Sequence, residues 1–71
     1  MERVTESKPR ASIDEWCLMY DYGVPQIVGT VSGHGRLEDG LEVRTSVVLR
    51  IDFEKGVAET MNTIYSLGNH R

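Results

Sequence analysis

Cysteine, histidine, proline and long apolar runs are all scarce in this 71-residue chain, and each scarcity removes a class of answer. Cys17 is the only cysteine, so no disulfide can form within one chain, and the paired-cysteine zinc spacings are missing. A lone thiol suits a reducing, intracellular setting. With His34 and His70 the only histidines, a metal site of imidazole and thiolate would need residues from a second subunit. No metal or cofactor is therefore expected. The apolar stretches are too short to cross a bilayer, and the polar N-terminus lacks the apolar core of a signal peptide. These features lead us to expect a cytoplasmic protein without a membrane partner.

Positive charge is also in short supply. Eight Lys and Arg against eleven Asp and Glu give a formal net charge of −3, which argues against general nucleic-acid binding, since that rests on neutralising phosphates. A chain of this length forms one domain with a marginal core, a size at which self-association often adds stability.

Met1 to Ala11 mixes charges of both signs with one proline and little to bury, so residues 1–11 read as a flexible arm. Residues 12–71 read as a single β-rich domain. Alternation from Glu15 puts Trp16, Leu18 and Tyr20 on one strand face and Cys17, Met19 and Asp21 on the other. Tyr22-Gly23-Val24-Pro25 makes a turn, and the β-branched Gln26–Ser32 segment returns to form a hairpin. Gly29, in the middle of that strand, marks a bend or a close backbone approach. From Glu42 to Phe53 the pattern predicts one long strand with Val43, Thr45, Val47, Leu49, Ile51 and Phe53 on its inner face. Val48 is the exception on the polar face. Glu54-Lys55-Gly56 is a hairpin loop, and Val57–Met61 and Thr63–Leu67 are two short strands broken near Asn62, helix being the alternative from Glu59 to Leu67. The expected fold is mainly β, a small curled antiparallel sheet or open barrel of about five strands. Edges left open by so short a sheet invite pairing between copies, hence an expected homo-oligomer.

The densest chemistry lies between Gly33 and Gly40, where three glycines accompany His34, Arg36 and Asp39. Gly33 and Gly35 would let backbone N–H groups approach an anion, and His34 and Arg36 would add side-chain donors. Arg44 and Ser46, sharing the outward strand face, would complete a site for an anion that carries hydroxyls. The plain alternative is a hairpin loop turned by Asp39-Gly40, with Arg36 paired to Glu38 or Glu42. Thr45 falls on the inner face, either satisfied by backbone or turned toward a pocket as a further ligand contact. Carboxylate pairs among Asp39, Glu42, Asp52 and Glu54 have no spacing that demands acid–base chemistry. A Cys17 nucleophile beside His34 lacks a third group to orient the imidazole.

The order Trp16, Gly29-Thr30-Val31, Gly33-His34 with Arg36, Asp39-Gly40, Thr45-Ser46, then Thr60 with Asn62, Tyr65 and Leu67-Gly68 resembles a family of short proteins encoded by phages and mobile elements. The resemblance spans Trp16 to Gly68 and brings no assigned activity. Where that family often has an aromatic after the arginine, this chain has Leu37, which weakens any stacking role for the loop. Small phage proteins often block host defence, so the resemblance implies a non-enzymatic counter-defence protein that sequesters a small anionic, nucleotide-derived signal. The alternative is an anti-CRISPR-like inhibitor that grips a host defence protein directly through Met19, Tyr22 and Val48. A small hydrolase using His34 and Asp39 is the weakest of the three readings.

Overall fold

In the computed structural model, which describes residues 8–71, six strands form one mixed sheet: β1 (Arg10–Asp21), β2 (Val24–Ser32), β3 (Leu41–Arg44), β4 (Val48–Asp52), β5 (Val57–Thr60) and β6 (Ile64–Leu67). Their order across the sheet is β3-β2-β1-β6-β5-β4. The mainly β fold matches expectation, with a sixth strand and one parallel pair, β1 with β6, among otherwise antiparallel neighbours. No helix among the described residues is long and apolar enough to cross a membrane.

The central strand β1 contains a bulge that sets the phase of everything around it. Ala11 and Ile13 point into the core, and simple alternation would send Glu15 after them. Instead Glu15 takes a positive φ of 48°, and the register jumps from Asp14 opposite Thr30 to Cys17 opposite Val28. Two residues of β1 then face Gly29, and Trp16 becomes the buried one. Gly29 is required here: a Cβ would lie 2.8 Å from Ile13 Cγ1 and 2.9 Å from the Asp14 carbonyl oxygen. The β1–β2 connection is a two-residue turn, Tyr22-Gly23, with φ of 52° and 79°, the positive values that tight hairpins demand.

Residues 68–71 extend the β1–β6 pairing past the bulge. Gly68 N–H donates to the Ile13 carbonyl at 2.8 Å, Trp16 N–H to Asn69 at 3.1 Å, and Arg71 N–H to the Trp16 carbonyl at 2.7 Å. The Trp16 indole N–H donates to the Gly68 carbonyl at 3.0 Å, while its ring meets His70 edge-on at 4.5 Å and stacks on Phe53 at 6.3 Å. The indole is therefore satisfied and covered at once.

The long strand expected over Glu42–Phe53 is two strands. β3 and β4 lie at opposite ends of the sheet order, so Thr45–Val47 must carry the chain from one edge to the other. That is possible only because the sheet curls. Thr45 N–H donates to the Ile27 carbonyl at 2.9 Å on the β2 side, and the Val47 carbonyl accepts from Met61 N–H at 3.0 Å on the β5 side. Turning this corner buries Val48 and leaves Leu49, expected inside, 53% exposed. An irregularity between Val48 and Arg50 then returns Ile51 to the core as expected, while Phe53, also expected inside, is 67% exposed. Val48 is accordingly withdrawn as a contact residue for a partner.

β1 begins at Arg10, and Ala11 is core rather than arm. Of the arm expected over residues 1–11, residues 1–7 lie outside the described residues. Lys8 Nζ donates to Glu59 Oε2 at 2.6 Å and to the Thr60 carbonyl at 2.8 Å, and Arg50 donates to Glu59 Oε1 at 2.9 Å. These bonds, led by that from Lys8, hold the Glu59 carboxyl below its ordinary 4.5.

Two outcomes follow for stability. Gly29→Ala should lower unfolding free energy by about 1–3 kcal/mol in urea titration, because the added carbon meets backbone as well as a side chain. Because the folded state favours charged Glu59, its contribution is present above pH 4.5 and fades as pH falls through the lowered folded value. Glu59→Gln should therefore narrow the stability gap with the parent chain as thermal melts are taken to more acidic pH.

Candidate functional site

Gly33 to Gly40 connects β2 to β3, and its base is a turn of the plain kind. Gly33 and Gly40 both have positive φ, 70° and 89°, conformations that side chains resist. Asp39 Oδ1 accepts from Gly33 N–H at 2.8 Å, and Gly40 N–H donates to the Val31 carbonyl at 2.8 Å. With its N–H engaged by Asp39, Gly33 offers no donor to an anion. The same bond occupies an Asp39 oxygen that the hydrolase reading needed.

Beyond this base, His34 to Leu37 leans across one open end of the curled sheet. Arg36 N–H donates to His34 Nδ1 at 3.0 Å, so the imidazole proton sits on Nε2. That nitrogen lies 3.5 Å from Thr63 Oγ1 on the β5–β6 turn, and the His34 ring is tilted 34° to the Tyr65 ring with centroids 6.4 Å apart. Leu37 packs against the core and anchors the far side of the loop.

Loop, edge strand and turn together enclose a cavity of about 430 Å³. Its wall includes His34, Gly35, Arg36, Arg44, Thr45 and Ser46, six of the seven residues singled out by sequence, Gly33 being the one left out. Facing them are Tyr65, Asn62 and Thr63, together with Pro9 just before β1. No local pattern placed those four residues in a site. They arrive through the β5–β6 turn and the parallel pairing of β1 with β6, which the curl of the open sheet brings opposite the β2–β3 loop.

The seven residues do not contribute equally. Thr45 is buried, and its hydroxyl donates to the Ser46 carbonyl at 2.8 Å and accepts from Ile27 N–H at 3.0 Å. Of its two possible roles it takes the structural one, and its hydroxyl is not available to a ligand. Arg36 makes no ion pair among the described residues, and its expected partner Glu42 is bonded to Arg71 at 2.8 Å. Arg44 lies 4.0 Å from Asp21 at the hairpin tip, a half-exposed contact that screening leaves weak. Both guanidinium groups are thus free to turn toward an anion. Among the described residues the lining contains no carboxylate and no thiol, and Cys17 is not part of it.

No family model matches the chain, and neither a curated protein nor a solved structure matches it. The cavity's own chemistry must therefore carry the functional reading.

The His34 arrangement is directly observable. Long-range 15N–1H spectra of the neutral imidazole should show Nε2 protonated and Nδ1 bare. A protonated Nδ1 would break the bond to Arg36 N–H and with it the shape of the loop.

Proposed function

We propose that this protein binds a small hydroxyl-bearing anion of the nucleotide class and holds it unchanged, away from a receptor. The reading is supported above all by the presence of Arg36, Arg44 and His34 together in the lining of one cavity of about 430 Å³. Ligand pockets commonly enclose roughly 300–1,000 Å³, so the volume suits a mononucleotide-sized guest better than a large one. Guanidinium forks match phosphate oxygens in pairs, and the imidazole of His34 adds a further donor beside them. On the opposite wall Asn62, Thr63 and Tyr65 present amide, hydroxyl and phenol groups suited to sugar or base edges.

Holding rather than turnover is favoured by a lining that, among the described residues, has no carboxylate to act as a base and no thiol to attack. A counter-defence role, in which a phage-encoded protein removes a signal from circulation, fits such a binder and accords with the resemblance noted above. Local positive charge at the cavity, set in a chain of net charge −3, would also favour a compact anion over a polyanionic nucleic acid.

The test is isothermal titration against nucleoside mono- and diphosphates, cyclic nucleotides and ADP-ribose, with inorganic phosphate as the control. At least one nucleotide should bind, and Arg36→Ala and Arg44→Ala should each weaken it tenfold or more. That loss corresponds to about 1.4 kcal/mol, the low end for a charge-assisted hydrogen bond. A flat response across the panel rejects the reading. Chromatography of the ligand released on heating should return the compound that was added.

A further inference from the structure

The distal half of the β1–β2 hairpin is a two-stranded ribbon whose two edges are unequal. β6 pairs with β1 only from Arg10 to Ile13, and Arg71 is the last residue bonded on that side. β3 pairs with β2 only from Val28 to Val31. On the β2 edge, Ile27 exchanges bonds with Thr45, and Pro25 has no N–H to give. Proline on an exposed edge is a standard block to strand addition.

The β1 edge has no such block. Trp16 directs its N–H and carbonyl away from β2, toward Asn69 and Arg71. Backbone direction alternates along a strand, so Leu18 and Tyr20 direct theirs the same way. Neither has a backbone partner on that side among the described residues. The side chains along this stretch are apolar, with Tyr20 64% and Tyr22 fully exposed.

We propose that Cys17–Asp21 pairs antiparallel with the same segment of a second copy, about a two-fold axis at Met19. In that register Leu18 faces Tyr20 twice over, and each hydrogen-bonded pair exchanges two bonds, giving about four between the chains. Met19 faces its own counterpart at the closer, non-bonded position. Charges favour this alignment: Asp21 falls opposite Cys17, and Glu15 falls beyond the paired segment, so no like charges meet. The pairing ends where each chain's own Arg71 occupies the Trp16 edge. A contact of five residues per chain is well below the ~1,600 Å² of a standard interface, so the dimer is weak and concentration-dependent.

Sedimentation equilibrium from micromolar to millimolar protein tests this without reference to any ligand, and so independently of anion binding. The parent chain should shift from monomer to dimer. Met19→Lys and Met19→Glu should each raise the dimer dissociation constant at least tenfold, because each sets like charges together at the axis, and an equimolar mixture of the two should restore association. A parent chain monomeric at millimolar concentration overturns the proposal. So does dimerisation unaffected by either charge, which would belong to another surface, or a mixture that stays monomeric. Should a charged variant lose its far-UV β-sheet signal, Tyr20→Pro decides the matter, since it removes one outward N–H from an exposed position. Loss of association then supports the pairing, and parent-like association overturns it.

Discussion

Everything in this fold is arranged around the two residues of β1 that face Gly29. The bulge turns Trp16 inward, and it divides the longest strand into a half held on both sides and a half held on one. Bulges bend a strand and increase its twist, and a six-stranded sheet must bend strongly if its edge strands are to be joined by three residues. Residues 68–71 keep the bulge closed by supplying the hydrogen bonds that an irregular strand would otherwise lack. Trp16 thus depends on Gly29 from one side and on Gly68 from the other. A Cβ on Gly68 would run into the Asp14 carboxylate that accepts from Asn69 N–H.

The cavity follows from the same curvature. A flat sheet would leave the Gly33–Gly40 loop hanging over solvent, far from the β5–β6 turn. Curling brings His34 within 3.5 Å of Thr63 and lines the space between them with Tyr65. The turn is itself rigid, because Thr60 Oγ1 donates to the Thr63 carbonyl and accepts from the N–H groups of Asn62 and Thr63. Two of the three buried polar residues among those described, Thr45 and Thr60, are therefore scaffolding that uses hydroxyls as backbone substitutes.

Much of this was legible in the chain, and the limits have physical causes. Period-two alternation and glycine turns marked the β1–β2 hairpin and the β5 and β6 strands, because those signals are local. Thr45–Val47 misled for the opposite reason: Thr45 and Val47 favour extended backbone, and the single Ser46 between them does not say that the chain changes edges there. Parallel pairing of β1 with β6 joins residues more than fifty positions apart, a relation that no local period encodes. At the site, glycine density and cationic side chains pointed to the loop, whereas Asn62, Thr63 and Tyr65 had the appearance of ordinary turn and core residues. Sequence also overvalued Gly33, whose N–H is taken by Asp39 within the same loop, and Thr45, whose hydroxyl is engaged by Ile27 on β2.

The pairing of β1 with β6 and with residues 68–71 also governs the order of assembly. During synthesis the β1–β2–β3 meander can form early, since its contacts are close in sequence and hairpins close in microseconds. The other flank of β1 stays uncovered until Ile64–Leu67 has emerged, so the core around Ile13 and Trp16 closes only after that segment is made. Contacts of such long range slow folding through loop-closure entropy, and the final step joins both flanks of one strand together. A nascent chain of this protein would therefore remain a half-sheet, with its tryptophan wet, until β6 and the residues after it have left the ribosome.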